Sequence, residues 1–476
     1  MGRFQRAVGL VILGLASGAA GLLWFAVAAN HSVDRGPSIQ GAVLGPWRVV
    51  YDTAAPSVRV IGAAAALAGL FALGVALLER RITNRSRRSE DQVARPLAPK
   101  IVMAATRGIY AGPVTVTVLI PAHNEETCLP FTLASLLGQS HCPERIIVVA
   151  DNCTDATVTI ARAAGVEVIE SIDNVDKKAG ALNQALTTVL PGLGDNDLVM
   201  VMDADTTLDD GFLKAAVGRF VGDRALMAIG GLFYGEDGHG LLGQFQRNEY
   251  IRYAREIRRR RGRVFVLTGT ASLFRPLALR TIAERRGQTL PGKHGDAYDT
   301  IALTEDNELT LAIKSLGGLM ISPSQCTVVT EVMPTWSALW VQRLRWQRGA
   351  LENLGSYGMT PATFRYWAQQ LGIGYGVIAL ASYFALIAVM VMALNSWIWF
   401  PFWIGLGLLF VAERVVTVWK GGWQARLLSV LLFPELFFAV VLNVVYVRGI
   451  VDITIGRRAR WQHVSQLSAS ELESAR

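Results

Sequence analysis

The sequence predicts a mixed, mostly parallel α/β domain inserted between α-helical transmembrane segments. Three observations carry that prediction. Both ends of the chain hold long apolar stretches almost free of charge, while the middle alternates β-branched runs with amphipathic ones. The third is the run LVMVMDAD from Leu198 to Asp205, which follows the acidic turn Asp195-Asn196-Asp197 and ends in two carboxylates. A continuous apolar run of that length suits a fully buried strand better than a surface helix.

The membrane segments come first in chain order. With 476 residues there is room for two or three domains, and 51% hydrophobic residues with 12 tryptophans exceed what an ordinary soluble enzyme carries. Val8–Ala29 and Val58–Leu78 are each long enough to cross a bilayer, which takes about 20 residues, and only Arg59 interrupts them, at an edge. Leu371–Leu394, Trp397 to about Ala412 and Leu427–Val447 repeat the pattern. The expected layout is a membrane region with two helices over 1–83, a linker over 84–112 broken by Pro96 and Pro99, and an α/β domain over 113–335. Interface helices over 336–366 and a membrane region with two or three apolar segments over 367–476 complete it.

Basic residues orient the chain. Arg3 and Arg6 precede the first segment and Arg80, Arg81, Arg85, Arg87 and Arg88 follow the second, whereas Asn30–Ser57 is sparsely basic. The positive-inside tendency then makes this a multi-pass protein of the plasma (inner) membrane with its middle domain cytoplasmic. Ala26-Val27-Ala28 offers a signal-peptide alternative for the first segment, which is long for one. Glu413 and Arg414 mark a cytoplasmic span end or face a bundle interior. Three final spans would leave Arg457, Arg458 and Arg460 outside, and Pro434-Glu435 interrupts the last segment, so a broken or re-entrant helix is expected there.

Charge and cysteine usage narrow the function. The net charge of +8 is densest beside a membrane span, which makes the lipid bilayer the partner and argues against nucleic acid. Cys128, Cys142, Cys153 and Cys326 lack paired metal-ligand spacing and read as reduced structural thiols.

Within the middle domain, Val114–Ile120 reads as a strand ending in Pro121-Ala122-His123-Asn124-Glu125-Glu126, followed by an amphipathic helix through Leu137. Arg145–Ala150 is a second strand, Asp151–Asp155 a polar turn, Ala156–Ala164 a helix stopped by Gly165, and Val166–Ile169 a third strand. In such a sheet ligands bind outside the carboxyl ends of the strands, so the His123–Glu125 loop, Asp151 and the Asp203/Asp205 pair share one edge. Side chains two apart on a strand point the same way, so Asp203 and Asp205 are expected to face one divalent cation, Mg2+ or Mn2+; a solvated turn is the plainer alternative. Asp151 suits the N–H of a pyrimidine or a helix cap. Asp176–Asn183 is expected to be a loop before a helix, with Lys178 and Gly180 placed for phosphate contacts or merely for a solvated helix start.

Together these residues resemble the processive family 2 inverting membrane glycosyltransferases, the group of cellulose, chitin, hyaluronan and poly-N-acetylglucosamine synthases. The resemblance runs from about Val114 to Leu354 and rests on matches in family order. The PAHNE stretch and the Asp151 turn are similar to the uridine-binding loops, and Lys178-Ala179-Gly180 to the Lys-Ala-Gly element. Asp203-Ala204-Asp205 is similar to the metal-binding triplet, Thr268–Arg275 to the glycine-rich acceptor segment, Thr304-Glu305-Asp306 to the catalytic triplet, and Gln342–Trp346 to Gln-x-x-Arg-Trp. One departure is Ala150-Asp151-Asn152, where members often have two acidic residues and a glycine.

The resemblance implies an α/β GT-A-like nucleotide-sugar-binding domain that takes a UDP-sugar and extends a β-linked polysaccharide coupled to export. It implies donor contacts from Pro121, His123, Glu125, Asp151, Lys178, Gly180, Asp203, Gln342, Arg345 and Trp346. Acceptor contacts fall to Gly269, Thr270 and Trp346, metal binding to Asp203 and Asp205, and the general base to Asp306 with Glu305 as rival. Read without the resemblance, Thr304-Glu305-Asp306 is a helix N-cap with acids in its first turn. Trp336, Trp340 and Trp346 also suit a membrane-surface helix. Single transfer to a lipid, in the manner of ceramide glucosyltransferases, and a non-catalytic nucleotide-sugar-binding scaffold are the alternatives. An accessory subunit is compatible with either enzyme.

Overall fold

The computed structural model describes residues 39–44, 47–52, 58–106, 113–260, 262–392 and 401–457. The chain divides into two compact units, one formed by Met1–Ile82 with Phe364–Arg457 and the other by Thr83–Thr363 with Arg458–Arg476.

The first unit is mainly helical. A two-stranded antiparallel hairpin, β1 (Ile39–Leu44) and β2 (Trp47–Asp52), lies within the sparsely basic Asn30–Ser57 segment. Helices follow at Val58–Arg87, Phe364–Met392, Pro401–Thr417, Gly422–Leu431 and Phe433–Thr454. The break expected near Pro434-Glu435 is present: Leu432 takes a φ of +53°, outside the helical region, and Pro434 follows inside the next helix's first turn, where its missing N–H costs nothing. Arg414 pairs with Glu435 at 3.4 Å, and Ser429 donates to the same buried carboxylate at 2.9 Å. The acidic partner of Arg414 is thus Glu435. Among the described residues one helix, Phe433–Thr454, is long and apolar enough to cross a membrane by length and composition. Leu67, Leu70, Phe71, Leu73 and Leu77 on the Val58–Arg87 helix are all exposed. Val8–Ala29, Arg3, Arg6, Arg458, Arg460 and the start of the Trp397 segment lie outside the described residues.

The second unit is built on a seven-stranded sheet. Its strands are β3 (Val116–Ala122), β4 (Arg145–Ala150), β5 (Glu167–Glu170), β6 (Leu198–Met202), β8 (Leu226–Gly230), β10 (Ala271–Phe274) and β11 (Leu319–Ile321). They are ordered β11-β8-β10-β6-β3-β4-β5, and only β10 runs against its neighbours. A smaller sheet joins β7 (Thr206–Leu208), β12 (Thr327–Thr330) and β9 (Leu232–Gly235). The mixed, mostly parallel sheet is as expected.

Period-2 alternation explains how both faces are covered. Leu119, Ile147, Val149, Val199 and Val201 enter one buried apolar cluster, while Val118, Ile120, Ile146, Val148, Met200 and Met202 enter the other. Helices cover both faces, so the strands read as continuous apolar runs. β3 continues two residues beyond the expected end at Ile120. Pro121 is tolerated there because pairing with β6 has stopped at Leu119, leaving β4 as the only ladder partner.

A buried ionic staple ties the sequence between β10 and the second half of the sheet. The Arg286 guanidinium is fully buried and pairs with both oxygens of Glu308 at 2.7 Å. It also donates to the carbonyls of Pro291 and Ala297, and Tyr357 donates its hydroxyl to Glu308 at 2.5 Å. Removing one member of such a pair leaves an uncompensated buried charge. Arg286→Met is expected to destabilise the protein by about 3 to 5 kcal/mol, read as a lowered unfolding midpoint.

Candidate active site

The candidate site forms where β3, β4 and β6 end. The first two loops are laced together through backbone groups. His123 Nδ1 lies 2.6 Å from the Asp151 carbonyl, the Asn124 carboxamide oxygen accepts from Thr154 N–H at 2.8 Å, and Glu125 N–H donates to the Thr157 hydroxyl at 2.8 Å. Asn124 holds a φ of +57°, which asparagine tolerates better than most residues. Asp151 is buried and its Oδ1 accepts from Ser171 at 2.7 Å, Asn174 at 2.8 Å and Asn152 at 3.1 Å. The helix-cap alternative for Asp151 fails, because Asp155 accepts from Thr157 N–H at the start of that helix.

Asp176–Asn183 is not a loop. The helix Lys177–Val189 begins at once, so Lys178 and Gly180 lie in its first turn. Gly180 is required by the protein itself: an added Cβ would run into the Asn174 carboxamide and stand 2.8 Å from Asp176 Cβ. That same Asn174 reaches Asp151, so the small residue on the helix preserves the loop that holds the aspartate.

Lys178 is the centre of the acidic edge. Its ammonium lies 2.5 Å from Asp203 Oδ1 and 2.8 Å from Glu305 Oε1. β6 stops at Met202, so Asp203 and Asp205 sit on the turn after the strand and not on the strand itself. Their common strand face was the wrong reason for grouping them; the turn is held by Asp203 N–H donating to the Thr270 carbonyl and by Thr206 N–H donating back to the Asp203 carbonyl, both at 3.3 Å. Burial and the neighbouring Asp203 push Asp205 up to about 6. Glu331, which follows β12 and which no sequence signal singles out, is pushed up to about 7 by burial, Asp205 and Glu236.

Glu305 and Asp306 open the helix Glu305–Ser315, and adjacent carboxylates there behave oppositely. Burial would raise Glu305, but the Lys178 ammonium outweighs it and holds the group below its ordinary value. Asp306 is pushed up to about 6 by burial and by the charge of Glu305. Its two oxygens are oriented by backbone donors, Gly269 N–H at 3.1 Å and Asn307 N–H at 2.7 Å. Gly269 has little room to change, since an added Cβ would lie 3.0 Å from Lys178 Nζ and 3.2 Å from Asp203 Oδ2. Thr270 shares a hydroxyl contact of 2.8 Å with Thr268. A small cavity lined by Lys178, Thr268, Gly269, Tyr298, Glu305 and Asp306 lies among these groups. Tyr298, absent from the sequence-based set, is clasped through its backbone by the Asn183 carboxamide with two bonds of 2.9 Å.

The helix Trp336–Tyr357 braces this arrangement from the other side, capped by Thr335 accepting from Ala338 N–H at 3.2 Å. Thr304 stands at the N-cap position of the Glu305 helix, yet its side chain does not cap. Instead its hydroxyl and carbonyl accept from Asn353 at 3.2 and 3.1 Å, and Gly349 packs so closely that an added Cβ would meet the Thr304 hydroxyl at 2.5 Å. One face of Trp346 is covered: the Arg343 guanidinium stacks over it at 4.4 Å while pairing with both oxygens of Glu249 at 3.1 and 2.9 Å. Arg345 acts electrostatically on Glu305 and Lys177, lowering both. The buried Gln342 Oε1 has no hydrogen-bond partner.

The donor set can be tested for a metal. Among the described residues no cluster of three or more His, Cys, Asp or Glu forms a ready-made cage. The raised Asp205 and Glu331 instead show carboxylates short of positive charge, which suits a hard cation that takes one or two protein carboxylates and completes its shell from a ligand.

Fold and site define the class as an open α/β domain of the nucleotide-binding kind, with its polar groups gathered outside the strand ends. Comparison adds a family for part of the domain: residues 117–282 match Glycosyl transferase family 2, so that stretch is a glycosyl transferase family 2 domain. A probable glycosyltransferase of Bacillus subtilis (strain 168), YdaM, is 31% identical over 248 residues, covering 49% of this chain and 54% of that protein. The poly-beta-1,6-N-acetyl-D-glucosamine synthase of Staphylococcus aureus (strain COL) is 26% identical over 246 residues, covering 50% and 55%. The match thus spans about half the length of each curated relative. Among solved structures, the mannosyltransferase PcManGT of Pyrobaculum calidifontis, in complex with GDP-Man and Mn2+, aligns at a TM-score of 0.45 and 16% identity over 83% of this chain and 99% of that one. The glucosyl-3-phosphoglycerate synthase of Mycobacterium tuberculosis with Mn2+, UDP and phosphoglyceric acid aligns at 0.34 and 18% over 55% and 83%.

Gly349→Val tests the brace. Overpacking against Thr304 is expected to cost about 1 to 3 kcal/mol, seen as a lower thermal midpoint, with Gly349→Ala intermediate.

Proposed function

We propose that the chain is a membrane-embedded, metal-dependent inverting glycosyltransferase that takes a UDP-sugar and elongates a β-linked polysaccharide exported through the membrane. The observation that carries the reading is Asp306, a carboxylate raised to about 6 and aimed by the Gly269 N–H, beside acids bridged by Lys178. A general base works best with a pKa near the operating pH, and burial beside Glu305 brings an aspartate toward that range.

In the proposed step Asp306 accepts the proton of the acceptor hydroxyl as its oxygen bonds the anomeric carbon. The bond from that carbon to the diphosphate oxygen breaks, and its electron pair leaves with the nucleotide. A single in-line displacement inverts the anomeric centre. Asp203 and Asp205 would hold Mg2+ or Mn2+, which supplies neutralising charge to the leaving diphosphate. Arg345 contributes a second fixed cation, with a planar guanidinium suited to phosphate oxygens. Asp151 receives the base, with Pro121, His123 and Glu125 shaping its loop. Gln342, whose buried oxygen lacks a partner, and Trp346 complete the donor side.

The polymer reading is supported by the likeness to a poly-beta-1,6-N-acetyl-D-glucosamine synthase and by the apolar segments flanking the domain. Single transfer to a membrane lipid shares the same chemistry. Purified protein given a panel of radiolabelled UDP-sugars is expected to yield high-mass, β-linked product; label confined to one lipid-extractable species would establish the lipid acceptor instead.

Asp306→Asn is expected to lower turnover by about 10² to 10⁴-fold while UDP binding, followed calorimetrically, stays within about twofold. The base acts only when ionised. Turnover per unit of substrate should therefore fall about tenfold per pH unit below about pH 6 and level off above it, and a profile flat down to pH 4 would refute the assignment.

A further inference from the structure

We infer that Lys178 and Glu305 are positioning residues that make metal binding conditional on the donor: Lys178 is a tethered cation that occupies Asp203 until a diphosphate draws it away. The inference rests on the proposed metal role of Asp203 and Asp205.

The geometry states the competition directly. Lys178 Nζ stands 2.5 Å from Asp203 Oδ1 and 2.8 Å from Glu305 Oε1, and the lysine side chain is only 26% exposed. A divalent cation arriving alone at Asp203 would have to share that oxygen with an ammonium in a half-dry site, where like charges repel strongly. A nucleotide diphosphate changes the balance because its oxygens offer the ammonium new anionic partners. The lysine stem starts from a helix first turn, so it can swing without moving the backbone. Glu305 gives the displaced ammonium a fixed anchor within the site. This assigns Glu305 a task distinct from that of Asp306: it holds the lysine, while the neighbouring aspartate faces the acceptor. Gly269 keeps the lane open, since a side chain there would press on both Lys178 Nζ and Asp203 Oδ2.

Linkage makes the inference measurable without turnover. If Lys178 blocks the metal and the diphosphate removes the block, each ligand strengthens the other, and deleting the lysine must weaken that coupling. The experiment titrates Mn2+ into the detergent-solubilised protein and reads free Mn2+ by electron paramagnetic resonance, with and without UDP. Lys178→Gln is expected to bind Mn2+ alone about tenfold more tightly than the parent, and the tightening produced by UDP should shrink by about the same factor. Glu305→Gln, which leaves the ammonium to Asp203 alone, should weaken binding of Mn2+ alone. A purely structural role would weaken both variants alike. Unchanged or weaker Mn2+ binding by Lys178→Gln, with Asp205-dependent binding intact, overturns the inference and leaves the proposed function standing. Absence of any Asp205-dependent Mn2+ binding, judged by Asp205→Asn in the presence of UDP, overturns the metal reading itself. Should Lys178→Gln fail to fold by its thermal midpoint, Glu305→Gln decides: unchanged or tighter Mn2+ binding refutes the coupling.

Discussion

Carboxylates crowded at one end of a sheet repel each other and lose water, and that cost governs this domain. Asp203, Asp205, Glu305 and Asp306 come from two distant stretches of sequence and meet around a single ammonium. Lys178 satisfies one acid from each stretch. The remaining two, Asp205 and Asp306, retain raised affinity for protons, which marks the places where the site lacks positive charge. On the proposed function one of these would recruit a cation and the other would receive a proton, so a single electrostatic imbalance would serve two chemical tasks.

The surrounding fold exists to keep that imbalance in place. A helix N-terminus favours negative charge, which lowers the cost of Glu305 and Asp306 in the first turn. One turn further on, Glu308 is locked by Arg286 and Tyr357, so the helix cannot slide away from its neighbours. The helix Trp336–Tyr357 fixes Thr304 through Asn353 and a bare glycine, while Arg343 anchors it at Glu249 and covers Trp346. Residues that look like ligand contacts in a linear motif are here partly mutual supports. The spacing of such a motif can reflect packing between two helices as much as recognition of a substrate.

The sequence by itself determined the alternation of strands and helices, because a strand buried on both faces must be apolar throughout and the polar residues are left for its end. It also set the acids, the lysine and the arginine in the order that carries the resemblance to family 2 glycosyltransferases, and it showed the proline that breaks the last apolar segment. Only the tertiary structure decided which acid faces which cation. Local pattern placed Asp203 and Asp205 on one strand face, whereas they lie on a turn pinned to Thr270 across the sheet. Local pattern could not separate Glu305 from Asp306; Lys178, 127 positions upstream of Glu305, separates them by pulling one down while the other is pushed up. The clasp of Tyr298 and the packing of Gly349 on Thr304 carry no local signal at all. Burial, close approach and charge pairing depend on distances in space, and those exist only once the chain has folded.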